Sequence, residues 1–143
     1  WSMSREKQES EAYRWFVTAK SDLETARLLS SHDRFPHACF HAQQAAEKAV
    51  KAVWYALGAD PWGHSIRKLI EELQEVDLKA FDFLKTSISP GMKLDRMYIP
   101  TRYPNGLPDI TPDLAYDLED AQSAMSASEA LIRRVQEFLG FDI

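Results

Sequence analysis

Cysteine is almost missing from this chain of 143 residues: Cys39 is the only one. A single thiol leaves no intrachain disulfide and no cysteine-based metal site. Long apolar runs are missing too, since none approaches the ~18 residues that a membrane span requires. The opening WSMSREKQES has no leader-like apolar stretch, so the expectation is a cytoplasmic protein with no membrane association. Positive charge is in the minority. Seventeen Lys and Arg face 22 Asp and Glu, for a net charge of −5, which argues against a general nucleic-acid coat but leaves room for a local basic pocket. The chain has no GKS or GKT phosphate loop, no GxGxxG, no HExxH and no GxSxG turn. No cofactor and no metal are therefore expected. Its length fits one domain, 1–143, with residues 1–9 read as a loose tail.

What is present is helical. Phe35 to Gly58, FPHACFHAQQAAEKAVKAVWYALG, contains seven alanines between a first-turn proline and a glycine suited to a left-handed stop. At 100° per residue, Ala38, Ala42, Ala45, Ala46, Ala49, Val53 and Ala56 make a small-residue face for close helix packing. His37, His41, Gln44, Lys48, Lys51 and Tyr55 make a polar stripe roughly opposite. Gln43 and Glu47 share a third arc with Phe40, Val50 and Trp54, and so need hydrogen-bond partners from within the chain or from a second one. Cys39 lies on the apolar side, where a thiol reads as packing.

Around this helix, the spacing of Ala12, Trp15, Phe16, Ala19, Leu23, Ala26 and Leu29 predicts a first helix from about Ser10 to Ser31. The short SHDRFP turn makes the two antiparallel neighbours. Ser65 is set to cap a third helix and Asp77 a fourth. Residues 89–112 hold five of the seven prolines and read as a loop without helix. Met92, Leu94, Tyr98, Ile99 and Tyr103 make that loop too apolar for a solvated linker, so it should pack across the bundle. Thr111, Pro112 and Asp113 then open a long last helix. The expected fold is all-α, an up-and-down bundle of four to five helices with a long proline-rich loop before the last one.

The pattern FHAQQAAEKAVKA, then GHSIRKLIEEL, then YIPTRYPNG resembles the HEPN family (higher eukaryotes and prokaryotes nucleotide-binding domain) over nearly the whole chain. The resemblance implies the same helical architecture. Many of its members are ribonucleases carrying an arginine, four to six residues, and a histidine near the start of the last helix, where the pair would bind the scissile phosphate and move its protons. Here the stretch RYPNGLPDITPDL has no histidine. Arg27 with His32 and Arg34 with His41 fit the spacing elsewhere, Arg34 and His41 being the better placed.

The leading expectation is a non-catalytic binding module, a homodimer, that takes a nucleotide or other polyphosphate. Tyr98, Arg102 and Tyr103 combine a planar cationic fork with two amphipathic rings and are its first contacts. Lys48, His41 and Gln44 on the polar stripe come next. The resemblance also suggests a minimal nucleotidyltransferase as partner, sometimes as a toxin–antitoxin pair. The alternatives are a metal-independent endoribonuclease toxin using Arg34 and His41, or an adaptor that only binds other proteins.

Overall fold

A computed structural model describes residues 3–143, and they are all-α, with no strand among the described residues. Helix α1, Arg5–Ser31, starts about five residues before the apolar periodicity does. Ser4 is extended and its hydroxyl accepts from the Lys7 amide, while the Gln8 side chain donates to the Met3 carbonyl. The expected loose tail over 1–9 is thus corrected for residues 5–9, and Trp1 and Ser2 lie outside the described residues. The periodicity missed this turn because it is polar; Ala12 is the first buried position.

Helix α2, Phe35–Ala56, has the ends its sequence predicts: Pro36 lies in the first turn and Gly58 takes φ +73°. The turn between α1 and α2 closes with Asp33 in the left-handed region and three backbone bonds, from His32, Asp33 and Arg34, back to Leu29 and Ser30. The two helices then lie antiparallel along their lengths. Every residue of the predicted small face except Ala56 is buried.

Three short helices follow: α3 (Ile66–Glu71), α4 (Leu78–Leu84) and α5 (Ile88–Asp95). Ser65 and Asp77 cap α3 and α4 as expected. Helix α5 corrects the prediction of a helix-free stretch from residue 89. Pro90 is its third residue, inside the first turn, where a missing N–H removes no intrahelical bond. Gly91 is buried against α3, and a Cβ there would lie 2.8 Å from Ile66 Cγ2. The proline and the glycine that looked like breakers are, respectively, a helix start and a close helix contact.

The irregular segment is therefore residues 96–111. It is tied down by the buried Thr101, whose hydroxyl donates to the Met97 carbonyl at 2.6 Å, and by a single 3₁₀ turn at Pro104–Gly106. Thr111 opens only a one-turn helix, α6 (Pro112–Ala115), and its side chain makes no capping bond. The long last helix, α7 (Leu118–Leu139), begins instead at Asp117, where Asp117 and Asp120 bond each other's backbone amides in a capping box. The chain turns extended at Tyr116 and re-enters a helix at the stronger cap. Helix α2 packs between α1 and α7, with the short helices closing one side over Ile66, Leu69, Ile70, Leu73, Leu84 and Leu94.

Candidate functional site

The Gln43–Glu47 arc of α2 finds its partners within the chain. Glu47 is 3% exposed, and its carboxylate is hydrogen-bonded to two side chains and ion-paired with a third. Gln43 Nε2 reaches Oε1 at 3.1 Å; Lys51 Nζ and His64 Nδ1 reach Oε2 at 3.1 and 3.2 Å. Gln44 Nε2 in turn donates to Gln43 Oε1 at 2.8 Å. Lys51 lies one turn along α2, so the pair follows from helix geometry. A carboxylate only accepts, so in this contact it is the Nδ1 of His64 that carries a proton.

His64 arrives from outside α2, and Asp95 is what brings it. At the end of α5 the Asp95 carboxylate accepts from Ser65 Oγ (3.1 Å), the Ile66 amide (2.7 Å) and the Arg67 amide (3.1 Å). That clamp binds the last residue of α5 to the first turn of α3, where a negative charge also faces the positive end of the helix. Tyr98, three residues beyond Asp95, is thereby stacked on His64, one residue before Ser65, with ring centroids 4.9 Å apart and 19° between planes.

The loop continues to Arg102. Its Nε donates to the Tyr98 carbonyl at 2.9 Å. Its guanidinium carbon lies 4.4 Å from the Phe40 ring centroid, 4.6 Å from Tyr98 and 5.1 Å from Tyr103. Among the described residues Arg102 takes part in no ion pair, and its terminal nitrogens have no protein acceptor. The side chain is exposed. Three rings thus lie around the cation and leave its terminal nitrogens unpaired, an arrangement that suits a bidentate anion.

The six sequence-predicted contacts divide into groups. Arg102, Tyr98 and Tyr103 come together as expected. Half-buried Gln44 donates to Gln43, the buried amide that in turn bonds Glu47. Lys48 and His41 face α1: Lys48 Nζ pairs with Asp22 at 2.6 Å and lines a cleft of about 280 Å³ with Glu11, Arg14, Trp15 and Thr18. His41 packs edge-on against Phe40, the ring beneath Arg102. Burial pushes its pKa below the ordinary 6.5, while Asp22 pulls the other way. Arg34 is exposed at the N-cap of α2 and makes no side-chain cap bond; seven residues set it roughly 10 Å along the axis from His41. Sequence reasoning passed over Phe40 as a seat for the arginine and Lys51 as the partner of Glu47. The i,i+4 spacing of Glu47 and Lys51 was the available signal for the second. Among the described residues no three His, Cys, Asp or Glu cluster to hold a metal ion, and no helix is long and apolar enough to cross a membrane.

The HEPN domain family model matches residues 12–138. The chain belongs to the HEPN family. It is 29% identical over 128 residues, 85% of this chain and 83% of the other, to a Methanocaldococcus jannaschii protein named "Putative toxin MJ1304". Among solved HEPN-like folds it resembles TT1696 from Thermus thermophilus, with TM-score 0.80 and 33% identity over 89% of this chain and 97% of that one. It also resembles ST0689, an archaeal HEPN homologue (TM-score 0.73, 29% identity, covering 90% and 98%). The HEPN domain protein TM0613 from Thermotoga maritima is similar again (TM-score 0.68, 31% identity, covering 90% and 99%). The residues matched by the family model take in the whole Glu47–His64–Tyr98–Arg102 assembly.

Proposed function

We propose that this HEPN protein is a binding module that holds a nucleotide or polyphosphate on the Arg102 fork, acts as a homodimer, and partners a minimal nucleotidyltransferase. The observation that carries the ligand reading is the unpaired donor edge of Arg102, seated on Phe40, Tyr98 and Tyr103 in a chain whose net charge is −5. The Nε bond to the Tyr98 carbonyl and the ring contacts already hold the loop, so the terminal nitrogens are left open to water or to a ligand oxygen. Dimerisation is supported by Ile99, Tyr103, Ile110, Leu114 and Leu118, each at least 40% exposed, on the segment running from α5 into the first turn of α7.

Calorimetric titration with ATP and GTP tests the ligand. Binding by the wild type that is lost in Arg102→Ala supports it, and no heat with either nucleotide removes it. Sedimentation at micromolar concentration tests the dimer, and a single 16.4 kDa species would count against it.

The M. jannaschii relative's name contains the word toxin and nothing about chemistry; the second reading consistent with it is a metal-independent endoribonuclease toxin using Arg34 and His41. The roughly two turns of helix between them would have to be spanned by the flexible arginine side chain for both to touch one phosphate. Cleavage of tRNA or mRNA by the purified protein, abolished in a folded His41→Ala variant, would establish this reading over the first.

A further inference from the structure

Trp62 is 79% exposed, more than any other large apolar side chain among the described residues. It forms no ring–ring contact among them, so the fold gains little from it. Its position is specific all the same. The turn between α2 and α3 runs Trp62, Gly63, His64. His64 is fixed on one side by the buried Glu47 and stacked on the other against Tyr98, whose ring lies 4.6 Å from the Arg102 guanidinium. Two residues of chain put the Trp62 backbone within about 7 Å of that of His64. Gly63 takes φ +89° in open space, with nothing within 4 Å of where a Cβ would stand. The indole is therefore carried on an unobstructed turn whose far end is anchored in the site.

Resting on the anion-binding reading of Arg102, we propose that Trp62 is the stacking surface for the nucleobase of a ligand whose phosphates lie on Arg102. Arg102 supplies in-plane N–H donors for phosphate oxygens; the large free π face supplies the other contact a nucleotide requires. Stacking uses the face of a base and not its hydrogen-bonding edge, so the site takes ATP and GTP alike. A ligand without a base loses this half of its contacts.

The test compares ATP, GTP and inorganic tripolyphosphate by calorimetry on wild type, Trp62→Ala, Trp62→Phe and Arg102→Ala. Because Trp62 is at the surface, its removal leaves the fold intact, which circular dichroism verifies. Loss of one base-stacking contact predicts that Trp62→Ala weakens ATP and GTP about tenfold. Tripolyphosphate binding stays unchanged, Trp62→Phe retains most of the nucleotide affinity, and Arg102→Ala weakens all three. ATP should also quench tryptophan fluorescence in the wild type, and Trp62→Phe should remove that quenching. Unchanged nucleotide affinity in Trp62→Ala overturns this inference while leaving the Arg102 reading in place, and so does equal weakening of tripolyphosphate. A change in association state in that variant, with nucleotide affinity intact, assigns Trp62 to a protein contact and overturns it too. If the wild type binds none of the three ligands, both readings fall together.

Discussion

Replacing Glu47 by alanine is the sharpest single perturbation of this molecule. The carboxylate is 3% exposed and satisfies Gln43, Lys51 and His64 together. Its removal leaves the Lys51 ammonium, on a side chain only 12% exposed, without a counter-charge. Breaking a buried pair from one side costs about 3–5 kcal/mol. The residual access of Lys51 to solvent, and the 57% exposure of His64, place this case near the lower end, about 3 kcal/mol. With a urea m-value of about 2 kcal/mol/M, the unfolding midpoint should fall by about 1.5 M. Glu47→Leu combined with Lys51→Met removes both charges and should recover part of that loss; a double-mutant cycle isolates the pair at about 1–3 kcal/mol. Circular dichroism in urea reads the stability. Nitrogen NMR of the His64 ring reads the local geometry: a hydrogen bond from Nδ1–H to the carboxylate in the wild type, and its loss in Glu47→Ala. A midpoint shift below about 0.3 M would mean that Glu47 is solvated or already released, and the account of this network would be wrong.

Other outcomes follow from the same packing. Gly91→Ala should destabilise by about 1–3 kcal/mol although alanine is the better helix former, because the new methyl meets the branched side chain of Ile66 at 2.8 Å; a melt at or above wild type would refute the tight α3–α5 contact. The Cys39 thiol, pushed up to about 12 chiefly by burial and further by Asp120 and Asp117, should resist a thiol-specific reagent at pH 8 until the protein is unfolded. His41 has a folded pKa below its ordinary 6.5. The unfolded chain therefore binds the proton more tightly, and this group's contribution is intact above about 6.5 and is lost as pH falls through that value towards the lowered folded pKa. The stability of His41→Gln should accordingly fall less than that of the wild type on acidification from pH 7 to pH 5, as measured by urea midpoints.

The parts of this structure legible in the sequence are those whose cause is local. Pro36 and Gly58 marked both ends of α2, Ser65 and Asp77 marked two caps, and the alanine face announced close packing. The Gln43–Glu47 arc was recognisable as an obligation, two polar groups that had to be paired, without disclosing the partners. Two of the partners, Gln43 and Lys51, lie four residues to either side of Glu47 on α2, but the third is His64, and His64 is placed by a carboxylate some 30 positions away, Asp95. No periodicity carries that information. The misread stretch has a different cause. Pro90 and Gly91 read as breakers, yet their effect depends on position: a proline in a first turn removes nothing, and a glycine in a tight contact admits a neighbour.

The same logic explains why the Arg102 fork sits where it does. If residues 89–95 were irregular, Asp95 would have no fixed direction from which to bind the first turn of α3, and Tyr98 would not be held against His64. The helical α5 supplies that direction. Gly91 lets α5 lie on α3, Asp95 then reaches two backbone amides and a hydroxyl at once, and the chain leaves α5 already aimed at Phe40. The guanidinium can then be held by rings, leaving its donors available, because its own loop has been anchored elsewhere. The Asp95 anchor thus spares Arg102 most of the work of fixing the loop: only Nε is used internally, and the open terminal nitrogens are the geometry on which the proposed ligand reading rests.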